Sequence, residues 1–185
     1  FGMDLNVGCS SATFAVSVAE QFLRTGMAKT ALVVTAEFPT LYANWKDRGS
    51  NFLFGDAATA LILSTVHRGK DNIELISTQC WSSYSTNIRN NVGFLSPLEK
   101  GDKDRKDLLF YQNGPKVFKD VVKFVPDFIS AHLKEHQLTT KSVSRYWLHQ
   151  ANARLNEAIV KRMELDGDMK TIAPSIIEKY GNSAA

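Results

Sequence analysis

Three side chains of this sequence can do covalent and proton chemistry, and all three sit on tight turns. Cys9 lies in Asn6-Val7-Gly8-Cys9-Ser10-Ser11-Ala12. Residues 1–7 read as a buried strand, and the residues after Cys9 open a helix with Phe14, Ala15, Val18, Ala19, Phe22 and Leu23 on one stripe. A thiol between strand and helix feels the positive end of the helix dipole, which favours thiolate. Gly8 lets the turn be tight, and small residues leave room beside the sulfur, as in other nucleophile turns. Taken alone, a free cysteine is more often buried and inert. His149 closes a short predicted strand, residues 145–148, and Asn152 stands where it would N-cap the next helix, whose stripe is Leu155, Ala158, Ile159, Arg162 and Met163. A lone histidine there is most often structural, but the architecture repeats that of Cys9. Asn182 follows Gly181 and precedes small residues, a third polar side chain on a tight turn.

Thiol, imidazole and carboxamide together suit two chemistries. In a hydrolase, histidine takes the thiol proton and asparagine orients the histidine. In a carbon–carbon condensing enzyme, cysteine carries an acyl thioester while histidine and asparagine donate hydrogen bonds to a developing enolate oxygen. Spacing alone leaves both open. His67, His132, His136 and His149 have no partners at metal-ligand spacing, and no glycine-rich phosphate loop is present.

The elements that must position these residues follow from periodicity. Gly26 ends the first helix. Residues 31–36 form a continuous apolar run, predicted to be a buried strand of a parallel sheet in a strand–helix–strand unit. The loop 37–49 carries Phe38, Tyr42, Trp45 and Arg48; unaided, Arg48 reads as a solvated charge. Gly55-Asp56 signals a turn, with Asp56 expected to be a buried carboxylate that holds it through backbone N–H groups. Strands are predicted at 58–63 and 73–81, and the small Ala57, Ala58 and Ala60 suggest close backbone packing. Residues 82–107 lose periodicity and read as a long loop dividing two halves. A long helix is predicted over 114–136, with Phe118, Val121, Val122, Val125, Phe128, Ile129 and Leu133 inward and a kink at Pro126. Its lysines form a wet face.

Composition bounds the function. The 185 residues, 44% hydrophobic and 22% charged, make a globular chain with a sizeable core. A net charge of +3 is too small to argue for nucleic acid, yet does not repel an acidic partner protein. Two cysteines make no disulfide framework, so a reduced, cytoplasmic compartment is expected. No apolar run reaches the roughly 18 residues of a membrane span, and no signal peptide is read. Both ends read as cut, so the chain is expected to be an interior piece of a longer protein.

Six stretches together resemble the β-ketoacyl-acyl carrier protein synthase III family of thiolase-like condensing enzymes. They are Gly8-Cys9-Ser10-Ser11, Asp47-Arg48-Gly49, Phe54-Gly55-Asp56-Ala57-Ala58-Thr59-Ala60, Val117-Phe118-Lys119, His149-Gln150-Ala151-Asn152 and Gly181-Asn182-Ser183-Ala184-Ala185. The resemblance implies an α/β fold of thiolase-like layered α-β-α-β-α architecture, incomplete at both ends. Residues 1–107 would be the end of its N-terminal half with a connecting loop, and 108–185 the start of its C-terminal half. It implies Cys9 as the acylated nucleophile, with His149 and Asn182 assisting decarboxylation of malonyl-carrier protein. It implies Arg48, Phe54 and Asn152 on the substrate side, Arg48 toward coenzyme A and Phe54 near the acyl tunnel. Arg154 matches the position that meets the acidic carrier protein, and Lys161 and Arg162 extend that face. The implied activity is decarboxylative condensation of an acyl-coenzyme A primer with malonyl-acyl carrier protein, in fatty acid or related biosynthesis. It needs no cofactor or metal, and the family forms homodimers, with a hydrophobic interface expected near residues 31–36. Ser10-Ser11 departs from the usual Ala-Gly, Pro115 replaces a frequent asparagine, and the 82–107 loop is not a family feature. The alternatives are a Cys-His-Asn thioester hydrolase or acyltransferase of the same fold that makes no carbon–carbon bond, and a non-enzymatic partner of carrier protein.

Overall fold

The computed structural model describes residues 1–41, 43–66, 69, 73–89 and 109–185. They divide into two units, one of residues 1–37, 57–83 and 184–185 and the other of residues 38–56 and 84–183.

In the first unit, α1 (Ser11–Arg24) packs on a two-stranded antiparallel sheet of β1 (Thr30–Glu37) and β2 (Ala57–Ser64). Of the predicted stripe, Ala19 and Leu23 are buried and Phe14, Ala15, Val18 and Phe22 half-buried, while Glu20, outside the stripe, is buried too. Gly26 (φ +76°) ends it as expected, its N–H donating to the Leu23 carbonyl at 3.1 Å. Val33 lies opposite Leu61, Thr35 opposite Thr59 and Leu32 opposite Ile62. Val33 and Thr35 are buried, whereas Leu32, Val34 and Ile62 are 63%, 59% and 69% exposed. The strands at 31–36 and 58–63 are thus present, but their pairing is antiparallel. A continuous apolar run records that both faces are apolar, and says nothing of the direction of the neighbouring strand.

Residues 1–7 form no strand, in contrast to the expectation. Phe1 is 88% exposed and only leans edge-to-face on Phe22, ring centroids 5.1 Å apart. Residues 73–81 likewise form no ladder. What ties them down is polar. The Arg24 guanidinium donates to the Ile76 carbonyl (2.6 Å) and to Glu20 (2.7 Å), while the Thr78 hydroxyl meets Ser17 and Glu20. Burial alone would raise the Glu20 pKa; the Thr78 hydroxyl and Arg24 outweigh it and hold the carboxyl below the usual carboxylate range.

In the second unit, β3 (Ile88–Arg89) and β4 (Tyr111–Gln112) form a short antiparallel ladder, and four helices follow: α2 (Gly114–Glu135), α3 (Ala153–Arg162), α4 (Met169–Ile172) and α5 (Ile177–Tyr180). β3 falls inside the predicted 82–107 loop, whose residues 90–107 lie outside the described ones. Asn113 N-caps α2, accepting from the Lys116 N–H at 3.4 Å, and Pro115 fits the first turn, where a missing N–H costs nothing. The helix continues through the buried Pro126. Val121, Val122, Val125, Ile129 and Leu133 of its predicted stripe pack on Leu155, Ile159, Val160 and Met163, with Tyr146 and Ala173. Residues 145–148, predicted as a strand, form no ladder. A single bond from the Tyr146 N–H to the Ile172 carbonyl (2.7 Å) and one from the Tyr146 hydroxyl to the Thr140 carbonyl (2.6 Å) hold them.

Candidate active site

Cys9 belongs to the first unit, two residues before α1. Gly8 takes φ +62°, a region where a side chain would be strained. The two serines that depart from the usual pattern lace this turn. The Ser11 hydroxyl accepts from the Val7 N–H (2.9 Å) and donates to the Gly8 carbonyl (2.7 Å), and the Ser10 hydroxyl donates to the Val7 carbonyl (3.3 Å). Cys9 is a free, exposed thiol. Its ionisation runs against the expectation drawn from the helix dipole. Desolvation by the surrounding protein pushes the thiol pKa up, and the Glu37 charge adds to this; the opposing backbone hydrogen bond is the smaller effect. The dipole acts through a fraction of a charge, whereas even a partial loss of water penalises the whole charge of a thiolate.

His149 lies in the second unit, just before α3. Asn152 caps that helix as predicted, its oxygen accepting from the N–H groups of Arg154 (2.9 Å) and Leu155 (3.3 Å). Its oxygen thus serves the fold, whatever its amide meets. The His149 carbonyl accepts from the Ala151 N–H (3.0 Å) and from the carboxamide of the buried Asn156 (3.2 Å). Desolvation lowers the His149 pKa, so the imidazole is neutral near pH 7. A neutral imidazole both accepts a proton and donates one N–H.

Asn182 is 6% exposed and is held by the Phe54 segment of the same unit. Its N–H donates to the Leu53 carbonyl (2.7 Å) and its carbonyl accepts from the Gly55 N–H (3.1 Å), a parallel bridge around Phe54. The backbones approach so closely that a Cβ on Gly55 would lie 1.9 Å from the Tyr180 carbonyl oxygen. Phe54 and Asn182, 128 residues apart in number, are therefore brought together. Phe54 also meets Phe110 edge-to-face at 4.8 Å.

Arg48 is exposed on a turn that Asp47 organises, accepting from the Gly49 N–H (2.9 Å) and the Ser50 hydroxyl (2.6 Å). The Ser50 hydroxyl first, then the Gly49 N–H, keep the Asp47 carboxyl below its usual range. Asp56 accepts from the Thr40 N–H (3.1 Å) and hydroxyl (2.5 Å), so it braces the Pro39–Leu41 segment in place of its own turn, and it is exposed and not buried. Arg154 is exposed on the first turn of α3. Sequence reasoning missed the holding roles of Asn156 and Gln150; the signal for Gln150 was its place inside the His-Gln-Ala-Asn block. Among the described residues no three His, Cys, Asp or Glu side chains group as metal ligands, and no helix is long and apolar enough to cross a membrane.

Comparison with known proteins places this geometry. Residues 3–83 match the family model of 3-oxoacyl-[acyl-carrier-protein] synthase III, and residues 133–185 match the model of its C-terminal part. The β-ketodecanoyl-[acyl-carrier-protein] synthase of Pseudomonas aeruginosa is 39% identical over 188 residues, covering all of this chain and 53% of that protein. The β-ketoacyl-[acyl-carrier-protein] synthase III of Clostridium tetani is 32% identical, covering all of this chain and 56% of that one. A solved 3-oxoacyl-(acyl carrier protein) synthase III from Pseudomonas aeruginosa superposes with a TM-score of 0.82 at 21% identity, over 99% of this chain and 54% of that one. That likeness shows the fold, the α/β thiolase-like one. The chain spans about half the length of the relatives it matches. By sequence and by fold, this chain belongs to the 3-oxoacyl-[acyl-carrier-protein] synthase III family.

Proposed function

We propose that this chain carries the reacting residues of a decarboxylative condensing enzyme. The Cys9 sulfur attacks the carbonyl of an acyl-coenzyme A, and coenzyme A leaves as its thiol. Malonyl-acyl carrier protein then loses carbon dioxide. His149 and Asn182 stabilise the resulting enolate by hydrogen bonds to its oxygen. The carbanion attacks the acyl thioester carbon, and the Cys9 sulfur leaves and regains a proton. Both substrates bring their own carriers, so no resident cofactor is needed. The observation that carries this reading is the ordered set of three turn-borne groups, Cys9, His149 and Asn182, in a chain of this family.

The neutral state of His149 supports a hydrogen-bond donor in place of an imidazolium. Arg48 and Phe54 are proposed to meet the primer, Asn152 the substrate through its amide, and Arg154 the carrier protein. One relative is named for a ten-carbon β-ketoacyl product. Decarboxylative condensation adds two carbons, so an eight-carbon acyl group is the primer to try first beside acetyl. We place the protein in the cytoplasm, where the free thiols Cys9 and Cys80 stay reduced. We further propose a homodimer; the open apolar face of Leu32, Val34 and Ile62 is one that a further layer or a second copy would cover.

The test is to incubate the intact protein with mixed acyl-coenzyme A, weigh the Cys9 peptide, and then add malonyl-carrier protein. An acyl adduct on Cys9 followed by a 3-oxoacyl product is expected, and both should vanish in Cys9→Ala. Free acid as the only product would instead make the protein a thioester hydrolase, and condensation at the wild-type rate by Cys9→Ala would end the proposal.

A further inference from the structure

Resting on that reading, we propose that Gln150 is a positioning residue for the decarboxylation step, holding the His149 turn and the segment that leads to Asn182 in one frame. Its carboxamide reaches both segments. The Nε2 group donates to the Leu148 carbonyl (2.9 Å), immediately before His149, and at 3.5 Å to the Pro174 carbonyl. Its Oε1 accepts from the Ile176 N–H at 3.0 Å. Ile176 is the N-cap residue of α5, and its own carbonyl accepts from the N–H groups of Lys179 (3.1 Å) and Tyr180 (3.0 Å). α5 is only four residues long, and Gly181 and Asn182 follow it directly. A helix that short has little stability of its own. Where its first residue is fixed therefore decides where Asn182 emerges. Its far end is fixed by the Leu53–Gly55 bridge; its near end is closed locally by Ser175 and held to the His149 segment by Gln150.

On the other side, Asn156 fixes the His149 carbonyl. The imidazole and the carboxamide that must meet one enolate oxygen are thus tied through a single glutamine side chain, which uses its donor group on two carbonyls and its acceptor on one N–H. Glutamate has the same shape but donates nothing. Methionine has similar length and neither donates nor accepts strongly.

Gln150→Met and Gln150→Glu in the intact protein separate geometry from charge. Two measurements are made on each: acyl transfer from acyl-coenzyme A to Cys9 set against carbon dioxide release from malonyl-carrier protein, and hydrogen exchange along the backbone. Both variants should slow carbon dioxide release about tenfold to a hundredfold, the scale of a small misplacement of reacting groups. Cys9 loading should stay within about twofold of wild type. Exchange should rise together over residues 146–152 and 174–182 while α1 stays unchanged, which also shows the fold intact. Equal loss of loading and decarboxylation, or no rise over 174–182, overturns the proposal for Gln150. A wild-type protein that neither loads Cys9 nor releases carbon dioxide overturns the condensing reading, and the decarboxylation role with it. Active wild type with indifferent variants overturns the role of Gln150 alone.

Discussion

His149 is exposed as a residue, yet the protein packed around it disfavours the charged ring, so it meets its proposed step neutral. The ordinary imidazole pKa is about 6.5, and the folded value lies below it. Between the two, the unfolded chain binds the extra proton and the folded chain does not. Stability therefore falls as pH drops through that window, and the neutral form outlasts that of a free histidine. The rate of carbon dioxide release should stay level from pH 7 down past the ordinary value and fall only below it, and His149→Gln should remove that inflection while lowering the rate about a hundredfold or more. A pH profile of carbon dioxide release from malonyl-carrier protein checks both; a midpoint above the ordinary value would contradict the desolvation. The local setting of Cys9 and His149, each just ahead of a helix, was legible in the sequence because helix starts are punctuated locally. The ionisation of Cys9 was not. For Cys9 the local dipole argument pointed one way and desolvation, which depends on residues distant in sequence, prevailed.

At the scale of elements, periodicity located α1, α2 and α3 and most of their inward stripes, because a helix bonds only to itself and writes its burial every three to four residues; Phe118 and Arg162, placed inward by the pattern, are exposed. Strands have no such independence. Residues 1–7, 73–81 and 145–148 have strand-like sequences and no ladder, since a ladder requires a partner that the segment does not encode. The bridge from residues 53–55 to Asn182 was invisible for the same reason, and only the glycines hinted at it. Gly55 faces the Tyr180 carbonyl, and Gly181, at φ +70°, has the Gly55 nitrogen 2.9 Å from where its Cβ would be. A methyl group at residue 55 cannot be relieved by a side-chain turn, because the atom it meets is backbone. Gly55→Ala should cost about 1–3 kcal/mol in urea unfolding and slow carbon dioxide release more than Cys9 loading, since the displaced element carries Asn182 and not Cys9. An unchanged midpoint with unchanged kinetics would show that the two backbones part without consequence.

For the molecule as a whole, charge placement argues for a partner. α3 has no acidic residue in its first turn and places Arg154 there, where the helix dipole disfavours a cation; Lys161 and Arg162 at its end complement the dipole. Arg162 has Asp127 at 3.4 Å, an exposed pair that salt screens. Arg154 gains nothing from the dipole of its own helix, yet its backbone is pinned by the Asn152 cap, which fixes the point from which the guanidinium extends. An acidic carrier protein is a partner for which that placement makes sense, and the net charge of +3 does not oppose its approach. Arg154→Glu should therefore raise KM for malonyl-carrier protein about tenfold, roughly 1.4 kcal/mol, and leave Cys9 loading by acyl-coenzyme A unchanged. Because the contact is exposed, the gap between variant and wild type should narrow as salt rises and the Debye length shortens. Kinetics at two ionic strengths, with malonyl-coenzyme A replacing malonyl-carrier protein as the control donor, separate the two causes. If the variant is equally slow with the coenzyme A donor, Arg154 acts on the reaction itself and the carrier protein docks elsewhere.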